Sequence, residues 1–468
     1  MSGIFSDREA QALISGGLRE LEDDMPSVVY GTKKLTQRPI IVGAGPAGLF
    51  CALLLAENGY NPYVIERGGS VPERATAVSQ FYKNRILDED SNIQFGAGGA
   101  GTFSDGTLMT RINDPRIAYI LRRFVSFGAP KEILTQARPH IGTDVLRTVI
   151  ENMTKQIESC GATVSYHTKL TDILSDTVVT SKGNLPYEAL VLATGHSARD
   201  TYEMLMKRDF TLQAKPFSVG MRIEHLQSDV DFSMYGKFSG NPALGHAEYS
   251  LSCDTKTRGV YTFCMCPGGE VVAATSEVDG VVVNGMSHYA RDGKNANSAI
   301  AVSVKTSDYG ASVEGALAFQ RNIEKAAFQA AGNNYNVPLI TVGDFIAGKC
   351  ETLPSKVVPT YMGGDAYKIV DPNTYLPSFV TAGLANAISS FDKRMKGFAD
   401  PNAILCGPET RTSAPIRILR DGQSFASLTN CGVYPCGEGA GYAGGITSAA
   451  VDGIRTAYAI MQTYKPML

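Results

Sequence analysis

The sequence predicts an α/β fold, with a parallel βαβ unit early in the chain and a mostly β unit inserted before the chain returns to it. Residues 38–67 have the pattern of strand, helix and strand, with glycines at the first turn. From about 206 to 350, short runs of strand-forming residues follow one another, with a single helical pattern at about 312–331. A last strand near 432–437 precedes a glycine-rich loop and a helix with one apolar face.

The first turn carries glycines in the G-x-G-x-x-G spacing. Gly43 permits the tight turn, Gly45 lets backbone approach a pyrophosphate, and Gly48 lets helix pack on strand. The helix N-terminus then offers N–H groups and a positive dipole end to the phosphates. Glu66 ends the second strand, where a carboxylate accepts hydrogen bonds from ribose hydroxyls. The alternative is an ordinary βαβ turn. The residues predicted to hold a dinucleotide here are Gly43, Gly45, Pro46, Ala47, Gly48, Glu66 and Arg67.

Composition limits the function classes. The chain has 468 residues, more than one core usually supports, with 44% hydrophobic and 19% charged residues, as in ordinary globular enzymes. A net charge of −3 gives no electrostatic footprint for nucleic acid or an anionic membrane. No apolar run approaches the roughly 20 residues that span a bilayer. The N-terminus lacks a signal-peptide pattern, and nine cysteines without a regular framework fit a reducing compartment. We therefore expect a cytoplasmic protein with a small-molecule substrate, and the oligomeric state stays open.

The change in residue pattern along the chain predicts four segments. Residues 1–35 form an N-terminal extension, and 36–205 the first part of the nucleotide-binding domain. Residues 206–399 form an inserted substrate or cap domain, and 400–468 return to the first domain.

Two further glycine elements favour a flavin over a nicotinamide. The run Leu190-Val-Leu-Ala-Thr-Gly195 resembles the A-T-G strand of the glutathione-reductase-like FAD superfamily, and Gly437-Glu438 resembles its C-terminal G-D motif. The resemblance implies that the acid hydrogen-bonds the ribityl chain or pyrophosphate, and that the following helix N-terminus faces the flavin, whose reduced form is anionic. No second Rossmann unit lies between them, so NADH or NADPH would be a transient donor. The residues implied are Ala193, Thr194, Gly195, Gly437, Glu438, Gly444, Gly445 and Ile446.

Five longer segments resemble the bacterial uncharacterised FAD-utilising dehydrogenase family. They are 95–108, 195–200, 258–269, 409–417 and 434–445, and the resemblance extends from about 38 to 465. It implies a glutathione-reductase-like FAD domain with an inserted β domain. The sequence departs from the family at Ala97, where a Glu is expected, and in the short region before the fingerprint, which suggests a missing N-terminal module.

The loop 95–106 is too rich in glycine to be a regular element. We expect its backbone amides to lie against the isoalloxazine or to define the substrate side, with Gly98, Gly99 and Thr102 among the cofactor contacts. Phe95 and Phe103 argue for partial burial, against a plain surface loop. Ser104 and Asp105 are its notable polar side chains.

Four residues are candidates for catalysis, and each has a structural alternative. His196 follows the Ala-Thr-Gly strand and could orient a ligand or take a proton, or only bond backbone at a domain junction. Arg222 and Glu224 share one face of a strand and could clamp a carboxylate and supply an acid or base, although a solvated sheet face is also possible. Cys436 abuts Gly437, but buried cysteines are usually inert. No paired C-x-x-C spacing predicts zinc.

The sequence thus predicts a non-covalent FAD oxidoreductase that exchanges hydride with a small organic substrate. An NAD(P)H-dependent flavin monooxygenase and a non-catalytic flavin-binding redox sensor are the alternatives.

Overall fold

The computed structural model describes residues 27–104, 106–255 and 257–467. The predicted extension, 1–35, is therefore mostly outside the described residues, as is Asp105. From residue 27 the chain runs along the last helix, where the Gly31 amide donates to the Met461 carbonyl at 2.8 Å.

The strands are β1 (Ile40–Val42), β2 (Tyr63–Ile65), β3 (Thr163–Ser165), β4 (Leu170–Ile173), β5 (Thr177–Thr180), β6 (Gly183–Pro186), β7 (Leu190–Leu192), β8 (Leu212–Ala214), β9 (Phe217–Leu226), β10 (Ser252–Asp254), β11 (Gly259–Cys266), β12 (Glu270–Ala273), β13 (Val283–Met286), β14 (Asn295–Val304), β15 (Val337–Thr341), β16 (Tyr367–Ile369), β17 (Ile404–Glu409), β18 (Ile416–Ile418) and β19 (Val433–Pro435). The α-helices are α1 (Pro46–Glu57), α2 (Val71–Asn84), α3 (Arg116–Ser126), α4 (Thr143–Ser159), α5 (Arg199–Lys207), α6 (Gln227–Tyr235), α7 (Val313–Ala330), α8 (Val342–Ala347), α9 (Ser378–Arg394) and α10 (Ile446–Thr463).

The first sheet is parallel, in the order β19-β7-β1-β2-β3. It unites the predicted N-terminal βαβ unit, the Ala-Thr-Gly strand and the C-terminal strand. Since parallel strands place their carboxyl ends at one edge, the glycine turns after β1, β7 and β19 meet there. A small antiparallel sheet, β4-β5-β6, connects β3 to β7.

The second sheet is mixed and mostly antiparallel, in the order β10-β11-β14-β9-β17-β15-β16. Its buried residues share one apolar cluster with the first sheet, in which Ile40 and Leu190 lie with Val219 and Ile300. The other face of the first sheet is covered by α1, α4 and α10, whose apolar side chains form a separate cluster. The two sheets are therefore packed into one body.

The α/β class with a Rossmann-like domain and a further mostly sheet domain is confirmed, with two differences in detail. The expectation of one helix over about 206–350 is wrong, since α6 and α8 accompany α7 there, and α9 follows beyond that range. The Ser, Thr, Asn and Gly residues of α9 (Ser378–Arg394) obscure its amphipathic pattern. In addition, β17 pairs with β9, so the second sheet includes a strand beyond residue 400.

Candidate functional site

A cavity of about 810 Å³ opens at the carboxyl edge of the first sheet and extends to the second. This is in the upper part of the range of roughly 300–1,000 Å³ for ligand sites. Its walls come from the turn after β1, the glycine loop 94–101, residues 193–197 and the start of α10, with residues 248–250 and 261–265 from the inserted unit. Segments far apart in sequence thus share one chamber.

The fingerprint glycines are required by close packing. A Cβ on Gly43, whose φ is +104°, would lie 2.3 Å from the Ala193 carbonyl oxygen, and one on Gly48 would lie 1.9 Å from the Gly43 oxygen. Helix α1 begins at Pro46 with no side-chain cap from Gly45 and no acid in its first turn. Its N-terminal N–H groups are therefore available to an anion in the cavity.

Glu66 lies at the end of β2, where the residue is 5% exposed. It accepts hydrogen bonds from the amides of Ala44 at 2.8 Å and of Gly68 and Gly96 at 3.0 Å. A carboxylate has about four acceptor positions, so one remains for a ligand hydroxyl. Glu66 thus joins the fingerprint turn to the glycine loop and still faces the cavity.

Arg67 follows Glu66 on the cavity wall. Its guanidinium donates to both carboxylate oxygens of Asp200 at 2.9 Å and lies over the Phe95 ring at 4.3 Å. Asp200 lies just after the Ala-Thr-Gly strand β7, so this pair links the end of β2 to the segment that follows β7.

Arg74 of α2, which the sequence analysis did not identify, organises the glycine loop. Its fully buried guanidinium donates at 2.8 Å to the carbonyls of Asn92, Ile93, Ala97 and Gly99. Burial lowers the pKa of Arg74 to about 9, so the group stays charged at neutral pH. A capping-box motif at the start of α2 was legible, but nothing in the sequence shows that a residue of this helix reaches a loop twenty residues away.

The predicted C-terminal motif is held by a buried ion pair. Asp452 of α10 accepts from the Gly437 amide at 2.7 Å and from two nitrogens of Arg420 at 2.6 and 2.9 Å. The next residue, Glu438, faces the cavity, and no side chain or amide of the described residues donates to its carboxylate. Burial raises the pKa of Glu438 to about 7, with Lys215 opposing the shift. The Glu438 carboxylate can therefore accept hydrogen bonds from the hydroxyl groups of a ligand.

Helix α10 begins at the same chamber. Gly444, Gly445 and Ile446 line the cavity, and the first turn of the helix has no acidic residue. Farther along, Gly453 crosses α1 so closely that a Cβ would lie 2.1 Å from the Ala47 carbonyl oxygen. This crossing brings two positive helix ends into one cavity.

His196 lies on the cavity wall beside a buried charge network. Glu324 of α7 accepts from both Arg199 and Arg411 at 2.7–3.0 Å, and Arg411 itself lines the cavity. Although burial acts to raise it, the two arginines hold the pKa of Glu324 well below its ordinary value. Burial, with help from Arg411 and Arg199, lowers the pKa of His196 to about 3. The imidazole is therefore neutral at physiological pH.

Arg222 and Glu224 do not fulfil the role considered for them. Both side chains are fully buried and neither lines the cavity. Arg222 donates to both oxygens of Glu409 at 2.7 and 3.0 Å. Glu224 accepts from Asn295 and from Thr360, and burial raises its pKa. These groups are satisfied inside the second sheet, so the picture of a substrate clamp or of a solvated face is corrected to that of a polar core.

Cys436 lines the cavity but is fully buried, and burial raises the pKa of its thiol well above the ordinary value. It accepts a hydrogen bond from Thr456 at 3.3 Å. All nine cysteines are free thiols, and Cys431, which precedes Cys436 by five residues, is exposed. The surroundings of Cys436 do not favour a thiolate nucleophile.

Most residues expected at the cofactor meet in this cavity, and four stand behind its wall. Gly98 would place a Cβ 2.1 Å from Thr102 Oγ1, an atom buried without a hydrogen-bond partner in the described chain. The expected residues that line the cavity are Gly43, Gly45, Pro46, Ala47, Glu66, Arg67, Gly99, Ala193, Thr194, Gly195, Glu438, Gly444, Gly445 and Ile446, and those behind it are Gly48, Gly98, Thr102 and Gly437.

Comparison with known proteins gives the family. Residues 37–213 match the family described as pyridine nucleotide-disulphide oxidoreductase, and residues 216–412 match the one described as FAD-dependent protein, C-terminal domain-like. An uncharacterized protein of Clostridium beijerinckii (strain ATCC 51743 / NCIMB 8052) is 46% identical over 455 residues, covering 96% of this chain and 84% of that protein. The chain belongs to a family of bacterial FAD-dependent oxidoreductases. FAD is its cofactor. The N-termini of α1 and α10, which can bind phosphate or an anionic flavin edge, fit this cofactor, and so does the Glu438 carboxylate, which can accept from its hydroxyls.

Two solved structures match this chain over most of their length at low identity. The L-proline dehydrogenase from P. horikoshii has 11% identity, covers 93% of each chain and gives a TM-score of 0.40. The glycine oxidase from Bacillus cereus ATCC 14579 has 12% identity, covers 91% of this chain and 95% of its own, and gives a TM-score of 0.37. At these scores the resemblance says nothing about the substrate of this flavoprotein.

Two negative findings apply to the described residues. No helix among them is both long and apolar enough to cross a membrane. No group of three or more His, Cys, Asp or Glu side chains is placed there to hold a metal ion.

Proposed function

We propose that this flavoprotein is a dehydrogenase or reductase that exchanges hydride between non-covalent FAD and a small organic substrate. The observation that carries the proposal is the single cavity that joins the dinucleotide fingerprint to strand β11 of the inserted unit. When bound, FAD supplies a two-electron acceptor or donor. The chain must then position the cofactor and present the substrate.

The residues divide naturally between these tasks. We assign the pyrophosphate to the α1 N-terminus and Gly99, a ribose to Glu66, the ribityl chain to Glu438 and the flavin edge to the α10 N-terminus. The aromatic wall formed by Tyr261 and Phe263 of β11, with Asn284, is left for the substrate. The side-chain Oδ1 of Asn284 accepts from Arg222 and from the Gly285 amide, so the side-chain NH₂ group is the part of Asn284 that would donate to a substrate.

The division of the chain supports this assignment of roles. We propose a cofactor unit from about 36 to 215, a substrate unit to about 410, and a C-terminal return to the cofactor unit. The antiparallel pair β8 and β18 lies where the chain leaves and re-enters that unit.

Anaerobic spectroscopy of the purified protein tests the proposal. NADH, NADPH and fractionated metabolite mixtures are added while the visible flavin band is followed. Bleaching by one metabolite fraction is the expected result, and a parallel aerobic assay with the same fraction should show no oxygen uptake coupled to product hydroxylation. Oxygen consumed in stoichiometric product hydroxylation would instead indicate a monooxygenase. A flavin that neither a nicotinamide nor any metabolite fraction reduces would indicate a sensor.

A further inference from the structure

His196 is held in one orientation by two neighbours that the sequence did not single out. Ser197 Oγ lies 3.1 Å from His196 Nδ1 and also donates to Gln94 Oε1 at 3.1 Å. Ser197 and Gln94 are 4% and 6% exposed, so neither exchanges this contact freely for bulk water. All three residues line the cavity, on segments that follow β7 and that open the glycine loop.

The hydrogen bonds from His196 through Ser197 to Gln94 fix the imidazole tautomer, because the serine has only one hydrogen to donate. A serine hydroxyl has one hydrogen, and here it is donated to the Gln94 carbonyl oxygen. Ser197 Oγ can then only accept from His196, so the imidazole hydrogen is on Nδ1 and Nε2 has a lone pair. No described residue donates to Nε2, and that atom is not among the sealed, unpartnered atoms of the core. Nε2 is therefore an acceptor open to the cavity.

Burial and the nearby charges keep this acceptor neutral. Arg411 and Arg199 act against protonation of His196, and Glu324, which accepts from both guanidinium groups and from Thr410, acts in its favour. Glu277 also accepts from Arg199 at 2.7 Å, so the two guanidinium groups and two carboxylates balance, and a proton on the imidazole would add an uncompensated charge in a buried site. An anionic substrate thus finds no imidazolium here, whereas a hydroxyl or amine finds a lone pair.

We propose, on the basis of the function proposed above, that His196 Nε2 selects substrates that carry an O–H or N–H donor, and that Ser197 and Gln94 are positioning residues that fix its tautomer. The substrate class is an alcohol or amine with an apolar or aromatic body. The body would pack on the wall that contains Tyr261 and Phe263, whose rings meet edge to face at 6.4 Å in the same cavity.

Nitrogen NMR of the holoprotein tests the tautomer without any turnover. The protein is labelled with ¹⁵N-histidine, and the His196 signals are assigned by their loss in His196→Asn. We expect Nδ1 protonated and Nε2 bare between about pH 5 and 8, where a free imidazole titrates. In Ser197→Ala the Nε2–H tautomer should appear. A protonated Nε2 in wild type, an imidazolium near pH 6, or an unchanged tautomer in Ser197→Ala would each overturn the proposal.

Matched probes test the substrate class. Benzyl alcohol and benzyl methyl ether differ in a single donor, and their binding is read from the perturbation of flavin absorbance. We expect the alcohol to bind about tenfold more tightly in wild type and equally with the ether in His196→Phe. Equal effects of the two compounds in wild type, including no effect of either, or an unchanged ratio in the variant, would overturn the class. Loss of flavin or of flavin reduction would instead count against the proposed function, so the two failures are distinguishable.

Discussion

Replacing Arg74 by lysine is expected to weaken FAD binding without touching the cofactor itself. The guanidinium reaches four carbonyls at 2.8 Å, two of them, from Ala97 and Gly99, through one nitrogen, and those of Asn92 and Ile93 through the other two. An ammonium is a single point with three donors, so it cannot serve both sides of this fork. At least two buried carbonyls of the loop then lose their partner.

The size of the effect follows from those two carbonyls. Each buried acceptor without a partner costs about 1–3 kcal/mol, so the loop is destabilised by about 4 kcal/mol. If half of this cost appears in binding, because the loop must be ordered to hold FAD, the Kd rises about 30-fold. The rest is expected as a lower free energy of unfolding.

Titration of FAD-depleted protein with FAD, followed by quenching of flavin fluorescence, measures this Kd. Arg38→Lys is the matched control, because Arg38 also donates to backbone carbonyls, those of Asn61 and Pro62, at 2.8 and 3.0 Å. It precedes β1 and so lies at the opposite edge of the first sheet. We expect Arg38→Lys to lower thermal stability and to change the Kd less than about threefold. A Kd for Arg74→Lys within threefold of wild type, or equal losses in both variants, would refute the reasoning.

Three further predictions concern the same cavity. Ionisation of Glu438, whose folded pKa of about 7 lies above that of an unfolded glutamate, destabilises the FAD-free protein increasingly from about pH 4.5 to 7 and fully above that. Melting curves should therefore show FAD-free Glu438→Gln more stable than wild type at pH 8, by up to about 3 kcal/mol, and equal to it near pH 4.5; equal stability at pH 8 would contradict this. Gly453→Ala, whose new Cβ would lie 2.1 Å from a carbonyl oxygen, should cost at least about 3 kcal/mol in urea unfolding, and Gly422→Ala, which meets nothing within 4 Å, should cost far less. Iodoacetamide followed by mass spectrometry should label exposed Cys431 and spare buried Cys436 in the native protein, and rapid labelling of Cys436 would restore it as a candidate nucleophile.

The cofactor half of the site was legible in the sequence because its constraints are local. Gly48 is required by its contact with Gly43 in the same βαβ unit, and Glu66 is placed by the length of a single helix and strand. The contact of Gly43 with Ala193 is the long-range exception. Gly437-Glu438 could be recognised only by resemblance, since its position depends on β19 joining a sheet whose other strands lie far earlier in the chain.

The other half could not be predicted because it depends on long-range pairing. Arg222 and Glu224 have the alternation of a surface strand, but β9 lies in the middle of the second sheet, between β14 and β17, and both side chains are buried. The roles of Arg74 and Glu324 likewise depend on hydrogen-bond partners that lie on other elements. Charged residues on a helix are usually solvated, so a single sequence gives no reason to expect these burials.

The central claim is that one FAD is held non-covalently in the cavity between the two sheets. The most direct measurement is the visible spectrum of the purified protein, followed by acid precipitation and mass analysis of the released chromophore. The structure predicts a flavin band, about one flavin per chain, and release of intact FAD into the supernatant. A colourless protein that does not take up added FAD, a flavin that stays with the precipitated chain, or release of FMN in place of FAD would contradict it.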